Sequence, residues 1–294
     1  MEPVIQVSGL GYQYPKTRIA TLNDLTFSVN PGEVYGFLGP SGAGKSTTQK
    51  VLYKILQEYR GSVLLMGREL RSLGADIFRT MGIGFETPNL YSKLTGRENV
   101  EFALELRGGF RTIWSERISS IQAGADRLGI GNALDNRVQT YSKGMKMRLA
   151  FLRAVIHQPK LLFLDEPTSG LDPLWQRVVK DWILELKDQG TAVFLTTHSM
   201  ELADELCDRV GFLVDGRIVA QDRPEALKAQ NVQQTLIIRG LSQDGQNQEH
   251  SLSYEDLRIN LFPDIVRIQH IESNETSLEK VFIQLTGRKL DGGT

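Results

Sequence analysis

One cysteine, Cys207, is all that the 294 residues contain. An intramolecular disulfide is therefore impossible, which fits a reducing compartment, and Cys207 reads as a small buried apolar residue. Charge of neither sign is in excess: Lys plus Arg total 34, Asp plus Glu total 35, and the net charge is −1. Such a balance exerts no global pull on nucleic acid, though it leaves local basic patches open; no nucleic-acid partner is expected. Long apolar runs are missing too. None approaches the roughly 18 residues that cross a bilayer. The N-terminal MEPVIQVSGL lacks the basic segment and apolar core of a secretory signal. The expectation is a soluble cytoplasmic chain whose membrane role, if it has one, runs through a partner. There is no internal repeat, no cysteine pair and no extended heptad pattern. The length suits one large domain, or a large one with a small one, and 40% hydrophobic residues supply an ordinary core.

Against these absences stands one segment, Gly39-Pro40-Ser41-Gly42-Ala43-Gly44-Lys45-Ser46-Thr47. It fits the pattern G-x-x-x-x-G-K-[ST], in which glycines let a loop turn its N–H groups inward as a nest for phosphate oxygens. Lys45 can reach the terminal phosphates and the Ser46 hydroxyl can ligate Mg²⁺. Upstream, 33–38 reads as a buried strand. Downstream, Thr47 to Leu56 has few breakers and carries Val51, Leu52, Ile55 and Leu56, which predicts a helix. Strand, glycine loop and helix N-terminus form the context the pattern requires, because the positive end of the helix dipole then faces the anion.

The rest of the chain alternates. Val4 to Val7, Leu25 to Val29 and Ser62 to Met66 read as strands, and Ile83 to Glu86 is short and apolar. From about 88 to 157 the spacing turns helical over 97–107, 114–128 and 142–157. Strand 161–165, helix 173–188, strand 191–196, helix 199–206 and strand 209–214 then imply a mainly parallel sheet. Asp215-Gly216 is a hairpin signal, and a short helix is expected near 224–230. Beyond 231 the composition changes. Ser242 to His250 is polar and reads as a loop flanked by short strands, Thr276 to Leu285 as a helix, and the last residues as frayed.

The apolar run 161–164 ends in Asp165 and Glu166. A strand beside the phosphate loop brings its terminal Asp165 near Mg²⁺, which keeps much of its hydration shell. Glu166 alternates to the other side and can polarise a water aligned on the γ-phosphate. Ser142, in the segment 141–145, is a candidate N-cap, and Gly144 allows close backbone approach, so that helix start can form a second anion site. His198, after the strand ending at Thr196, can hydrogen-bond a γ-phosphate.

The order of these motifs resembles the ATP-binding subunit of ABC transporters over residues 4 to about 228. GPSGAGKST at 39–47 resembles its Walker A, LLFLDEP at 161–167 its Walker B with catalytic glutamate, YSKGM at 141–145 its signature, and SGLD at 169–172 its D-loop. His198 stands at the switch-histidine position. Tyr14, 25 residues before Gly39, stands where the family stacks adenine on an aromatic ring, a contact worth about 1–3 kcal/mol; Tyr12 is its rival. The resemblance implies a P-loop NTPase ABC ATPase fold of α/β class. This has a mainly parallel core sheet, an antiparallel β subdomain, a helical subdomain at about 88–157 and a small α+β C-terminal appendage. The domain boundaries implied are 1–230 and 231–294. It also implies that ATP and Mg²⁺ are bound, with Glu166 and His198 catalytic, residues 39–47, Tyr14, Ser142 and Gly144 on the nucleotide, and Ser46 and Asp165 on the metal.

Two positions depart from the family pattern. Lys143 and Met145 replace a glycine and the glutamine of the signature, while Ser142 and Gly144 survive. Glu86 replaces the usual Q-loop glutamine; it is either a further metal ligand or a hinge residue. The resemblance further implies a split site, with each ATP held by the Walker motifs of one subunit and the signature of another. One chain must then pair with itself or with a sister subunit. The tail 277–287 and the stretch 90–99 resemble the ATPases of two-component exporters of drugs, antibiotics, lipids or polysaccharides. In that branch the helical insert meets an integral-membrane subunit on a separate chain, which places the protein on the inner face of the cell membrane. A soluble ABC ATPase of DNA maintenance or translation is the alternative. A GTPase is disfavoured, since no Asn-Lys-x-Asp occurs.

Overall fold

Alternation in the first thirty residues builds the first layer. The computed structural model describes residues 2–15, 17–107, 114–231, 235–241, 246–253, 267–274 and 277–288. In it β1 (Ile5–Tyr12) turns Ile5, Val7, Leu10 and Tyr12 inward and pairs antiparallel with β2 (Leu22–Val29). The register slips between Val7 and Leu10, where Gly9 adopts φ 63°, as a bulge requires. β3 (Val34–Leu38) leads through the glycine loop into α1 (Lys45–Leu52), and β4 (Arg60–Leu65) and β5 (Arg68–Glu69) complete a four-stranded sheet in the order β2-β1-β4-β5.

After β6 (Met81–Gly84) come three helices, α2 (Gly96–Leu106), α3 (Trp114–Arg127) and α4 (Lys143–Val155). Thr95 and Glu98 form a reciprocal capping box on α2, which fixes its start. Then β7 (Leu161–Asp165), α5 (Pro173–Asp188), β8 (Ala192–Thr197), α6 (Met200–Leu206), β9 (Arg209–Val214), β10 (Arg217–Asp222) and α7 (Pro224–Asn231) follow in turn. The large sheet has the order β10-β9-β3-β8-β7-β6, parallel throughout except for β10.

Its strands are apolar on both faces because both are covered. Val34, Leu38, Leu162, Leu164, Val193 and Leu195 point into the core shared with the helices. Tyr35, Phe37, Leu161, Phe163, Ala192 and Phe194 point into the core shared with the antiparallel sheet. Each fully buried Val, Leu or Phe among them stabilises by about 1.5–3 kcal/mol relative to exposure. Asp215 and Gly216, at φ 47° and 72°, form the two-residue turn between β9 and β10, as their sequence predicts.

The C-terminal region holds a three-stranded antiparallel sheet of β11 (Thr235–Leu241), β12 (Asn247–Ser253) and β13 (Arg267–Asn274), in the order β12-β11-β13. It ends in α8 (Leu278–Thr286), capped by Ser277. Leu278, Val281 and Phe282 of α8 are buried in the helix-side core, and Phe282 meets Phe212 edge to face at 5.3 Å.

Two expectations need correction. The helix predicted over Thr47 to Leu56 begins at Lys45 and ends at Leu52. Lys54 adopts φ 62°, and the N–H groups of Ile55 and Leu56 fold back onto the carbonyl of Lys50 at 2.8 and 3.0 Å. This left-handed stop leaves Ile55 exposed. The loop expected over Ser242 to His250 is in part a strand: Asn247 to His250 pair with β11. Backbone pairing, which polar side chains do not prevent, decides that stretch; residues 242–245 lie outside the described residues. So do Thr276 and the last residues expected to fray.

Burial of His157 carries a pH dependence. Its Nε2 lies 2.9 Å from the carbonyl oxygen of Met81. Burial first, then the nearby Arg107, push its pKa down to about 4 against the Met81 contact. The native state therefore resists protonation that the unfolded chain accepts near 6.5. Stability present above 6.5 is lost as pH falls toward 4, on the order of 3 kcal/mol. His157→Gln keeps a donor for Met81 and should flatten the loss in urea titrations between pH 6.5 and 4.5. An unchanged slope would contradict this assignment.

Candidate active site

The glycine loop leaves the sheet between β3 and α1, and its glycines answer to sterics. A Cβ on Gly39 would stand 2.1 Å from the carbonyl oxygen of Leu213, and Gly44, at φ 112°, caps α1. The Ala43 N–H donates to the Pro40 carbonyl at 3.2 Å, and the Gly216 N–H of the hairpin donates to Ala43 at 3.0 Å. The loop is thereby pinned by its neighbours. Ser41, Gly42 and Ser46 stay exposed.

Lys45 folds over this loop and donates from Nζ to the carbonyls of Gly39 (2.6 Å) and Pro40 (3.1 Å). Burial lowers its pKa, and the charges of Glu166, Asp165 and Glu86 oppose that shift. Asp165, at the end of β7, accepts from Thr196 Oγ1. Burial raises its pKa; the Thr196 bond opposes the rise, Glu86 adds to it, and Lys45 and Lys50 oppose it. Glu86 itself is exposed in the segment after β6. The charges of Glu166, Asp165 and Glu86 thus all bear on the phosphate-loop lysine.

Glu166 is held more rigidly. Its backbone sits at φ 48°, a costly region for a residue with a Cβ, and only 8% of the residue is exposed. The Thr197 hydroxyl donates to its Oε2 at 2.8 Å, and the His198 N–H donates to Oε1 at 2.7 Å. His198 Nδ1 also lies 2.6 Å from Oε1, while the imidazole remains largely exposed. The two catalytic candidates therefore face each other directly.

Tyr12 and Tyr14 separate cleanly. Tyr12 is buried in the antiparallel-sheet core. Tyr14 is half-buried, meets Tyr12 edge to face at 5.0 Å, and puts its hydroxyl 3.3 Å from Thr47 Oγ1. Tyr14, not Tyr12, lies at the loop. Ser142 caps α4 by accepting from the Met145 N–H at 3.2 Å. Its neighbour Gly144 faces the carbonyl of Gly170 and Leu171, and the Lys143 chain lies along Gly170. The start of α4 thus adjoins the SGLD segment of its own chain, and its described contacts do not run to the phosphate loop.

Sequence reasoning missed Gln49, Thr196 and Thr197. Gln49 is 1% exposed and donates from Nε2 to the Leu164 carbonyl (3.0 Å) and to Thr196 Oγ1 (2.9 Å). It ties α1 to the ends of β7 and β8. The available signal was a glutamine on the buried face of a short helix, one turn after Lys45. Gln49→Ala should cost about 1–3 kcal/mol, because a buried acceptor loses a donor, and should lower turnover by loosening Asp165. A denaturation midpoint and kcat both equal to the parent's would refute that role.

These features define a class, and the comparisons agree with it. The ABC transporter family model matches residues 22–169, and the chain belongs to that family as an ATP-binding and ATP-hydrolysing subunit. Over 98% of its length, and 94% of the relative's, it is 42% identical to the fluoroquinolones export ATP-binding protein of Mycobacterium tuberculosis. It is 31% identical, over 98% of the chain and 93% of the relative, to the daunorubicin/doxorubicin resistance ATP-binding protein DrrA of Streptomyces peucetius. A solved ATP-binding subunit of an ABC transporter superposes with a TM-score of 0.71 at 30% identity, covering 77% of this chain and 92% of that one. The α/β ABC ATPase fold expected from the motifs is the fold observed. Among the described residues no helix is long and apolar enough to cross a membrane.

Proposed function

We propose that this subunit powers the export of a drug- or antibiotic-class compound through an integral-membrane subunit on a separate chain. It would work at the inner face of the cell membrane, by ATP-driven closure of two cassettes. The observation that carries the reading is the match along nearly the whole chain to a protein named for fluoroquinolone export. The soluble alternative, in DNA maintenance or translation, finds no such support. The cassette would span 1–230, with its helical subdomain at 88–157, and the appendage 231–294.

In this reading residues 39–47 cradle the phosphates and Tyr14 stacks on adenine. The start of α4, with Ser142 and Gly144, reaches the γ-phosphate of a second copy or a sister subunit. That helix start points its contacts at the SGLD segment rather than its own phosphate loop, which suits a role across an interface. A ligand shared by two donor sets favours the state in which both engage it. Glu166 accepts a proton from the attacking water, and His198 holds that carboxylate in place.

The residues also fit Mg²⁺. The charges of Glu166, Asp165 and Glu86 all act on Lys45, so a triphosphate would meet negative charge there unless a divalent cation came with it. Mg²⁺ is usually held by one or two carboxylates together with phosphates and water, a demand that one carboxylate and one hydroxyl can meet. Ser46 and Asp165, with Glu86 at the rim, would hold it. When bound, it would supply positive charge against the negative charge of the phosphates.

The test is co-purification. Tagged protein from detergent-solubilised membranes should retain an integral-membrane subunit that stimulates its ATPase. Retention of ribosomes or DNA instead would overturn the reading.

A further inference from the structure

Two charges set this chain apart from the family pattern, and they are opposite in sign: Glu86 stands for a glutamine and Lys143 for a glycine. Glu86 adds its charge to those of Glu166 and Asp165 on Lys45, at the phosphate loop. Lys143 is the first residue of α4, is exposed, and forms no ion pair among the described residues.

The surroundings of Lys143 supply no anion. The first turn of α4 carries no acidic residue, and Lys146 and Arg148 follow close behind. Arg148 turns its guanidinium to the carbonyls of Gly144 and Leu128 and to the ring of Trp175. Asp172, whose charge reaches Arg148, is engaged in capping α5. A cation in the first turn of a helix faces the positive end of the dipole, which disfavours it until an anion arrives.

The lysine side chain also has a defined seat. Its Cε and Nζ lie 3.3 and 3.5 Å from where a Cβ on Gly170 would stand, and Gly170 adopts φ 70°. Gly170 belongs to the turns that run on from Glu166: the Ser169 N–H donates to the Glu166 carbonyl at 3.1 Å and the Leu171 N–H to that of Thr168 at 3.2 Å. Gly170, Glu166 and His198 border one cavity. The ammonium therefore stands beside that cavity, on the face that carries Ser142 and Gly144.

We infer that Lys143 acts in trans. In the closed pair, its ammonium contacts the γ-phosphate held by the phosphate loop of a second copy of this chain, and it offsets the charge that the second copy's Glu86 brings to that site. Lys143 lies between Ser142 and Gly144, so a helix start that reaches the γ-phosphate brings the ammonium with it. Its hydrogen bonds to a phosphate oxygen are charge-assisted. A cation at that point also favours the transition state of cleavage, where charge shifts among the phosphate oxygens. The inference rests on the split site proposed above.

The test is a mutant cycle on the full chain in the Glu166→Gln background, read by sedimentation at saturating Mg²⁺. Lys143→Gln should raise the ATP concentration for half-maximal pairing about tenfold, and Lys143→Arg, which keeps the charge, should stay within threefold of the parent. ATP binding by the single cassette, measured at protein concentrations too low for pairing, should change less than twofold. With Glu86→Gln added, the effect of Lys143→Gln should shrink below threefold, as interacting charges require. An ATP requirement that Lys143→Gln leaves unchanged overturns the inference. So does a tenfold effect that persists undiminished beside Glu86→Gln, which would make Lys143 a support for its own chain. A Glu166→Gln protein that never pairs, even with the membrane subunit supplied, removes the split site itself. Should Lys143→Gln unfold, Lys143→Met serves in the same cycle.

Discussion

Glu166→Gln should cut ATP turnover by about 10²–10⁴-fold, the usual loss when a general base is removed, while ATP binding persists. The substitution is nearly isosteric, so the fold around it should hold. The amide oxygen can still accept from the His198 N–H that Glu166 holds at 2.7 Å, and the amide N–H can donate to the Thr197 hydroxyl. What is lost is the ability to take a proton. Steady-state phosphate release alongside equilibrium nucleotide binding separates the two effects. A variant that turns over within twofold of the parent would strip Glu166 of the role and leave its strained backbone and buried hydrogen bonds without a catalytic explanation.

Lys45→Ala should abolish measurable nucleotide binding, with affinity falling by roughly 10²–10⁴-fold. Charge-assisted hydrogen bonds contribute about 1.5–3 kcal/mol each, and an ammonium over the loop offers more than one to a phosphate. The electrostatic setting amplifies the loss. Lys45 interacts with Glu166, Asp165 and Glu86, so its removal leaves an incoming anion facing their combined negative charge. The Nζ also braces the carbonyls of Gly39 and Pro40, and a part of the effect is local loosening of the loop. Melting of the nucleotide-free variant measures that part. Titration with a fluorescent ATP analogue measures the whole, and binding within threefold of the parent would contradict the assignment.

Much of this architecture can be read from local pattern because local pattern causes it. The run 161–164 is apolar without alternation, and the strand it forms is covered on both faces. Asp215-Gly216 announces its own turn, since few residue pairs tolerate two positive φ angles in succession. The phosphate loop, Asp165, Glu166 and His198 are legible because the chemistry proposed for them calls for those residue types in that order. Other features depend on contacts distant in sequence. Gln49 braces the sheet only because Leu164 and Thr196 arrive beside it; α1 itself offers no more than a glutamine on its buried face. The choice of Tyr14 over Tyr12 depends on which ring the antiparallel sheet buries. Asn247 to His250 are polar, yet they form a strand because β11 offers them a ladder. The stop after Leu52 hangs on one left-handed residue, Lys54, that no glycine marks.

The central claim is that a single triphosphate is clasped by two cassettes at once. Sedimentation of the Glu166→Gln protein, titrated with ATP in the presence and absence of Mg²⁺ and with the membrane subunit supplied, tests it most directly. A nucleotide-dependent species of twice 33.0 kDa, or two copies per membrane complex, is the predicted result. A chain that stays at 33.0 kDa, or one copy per complex, at every saturating ATP concentration would contradict it.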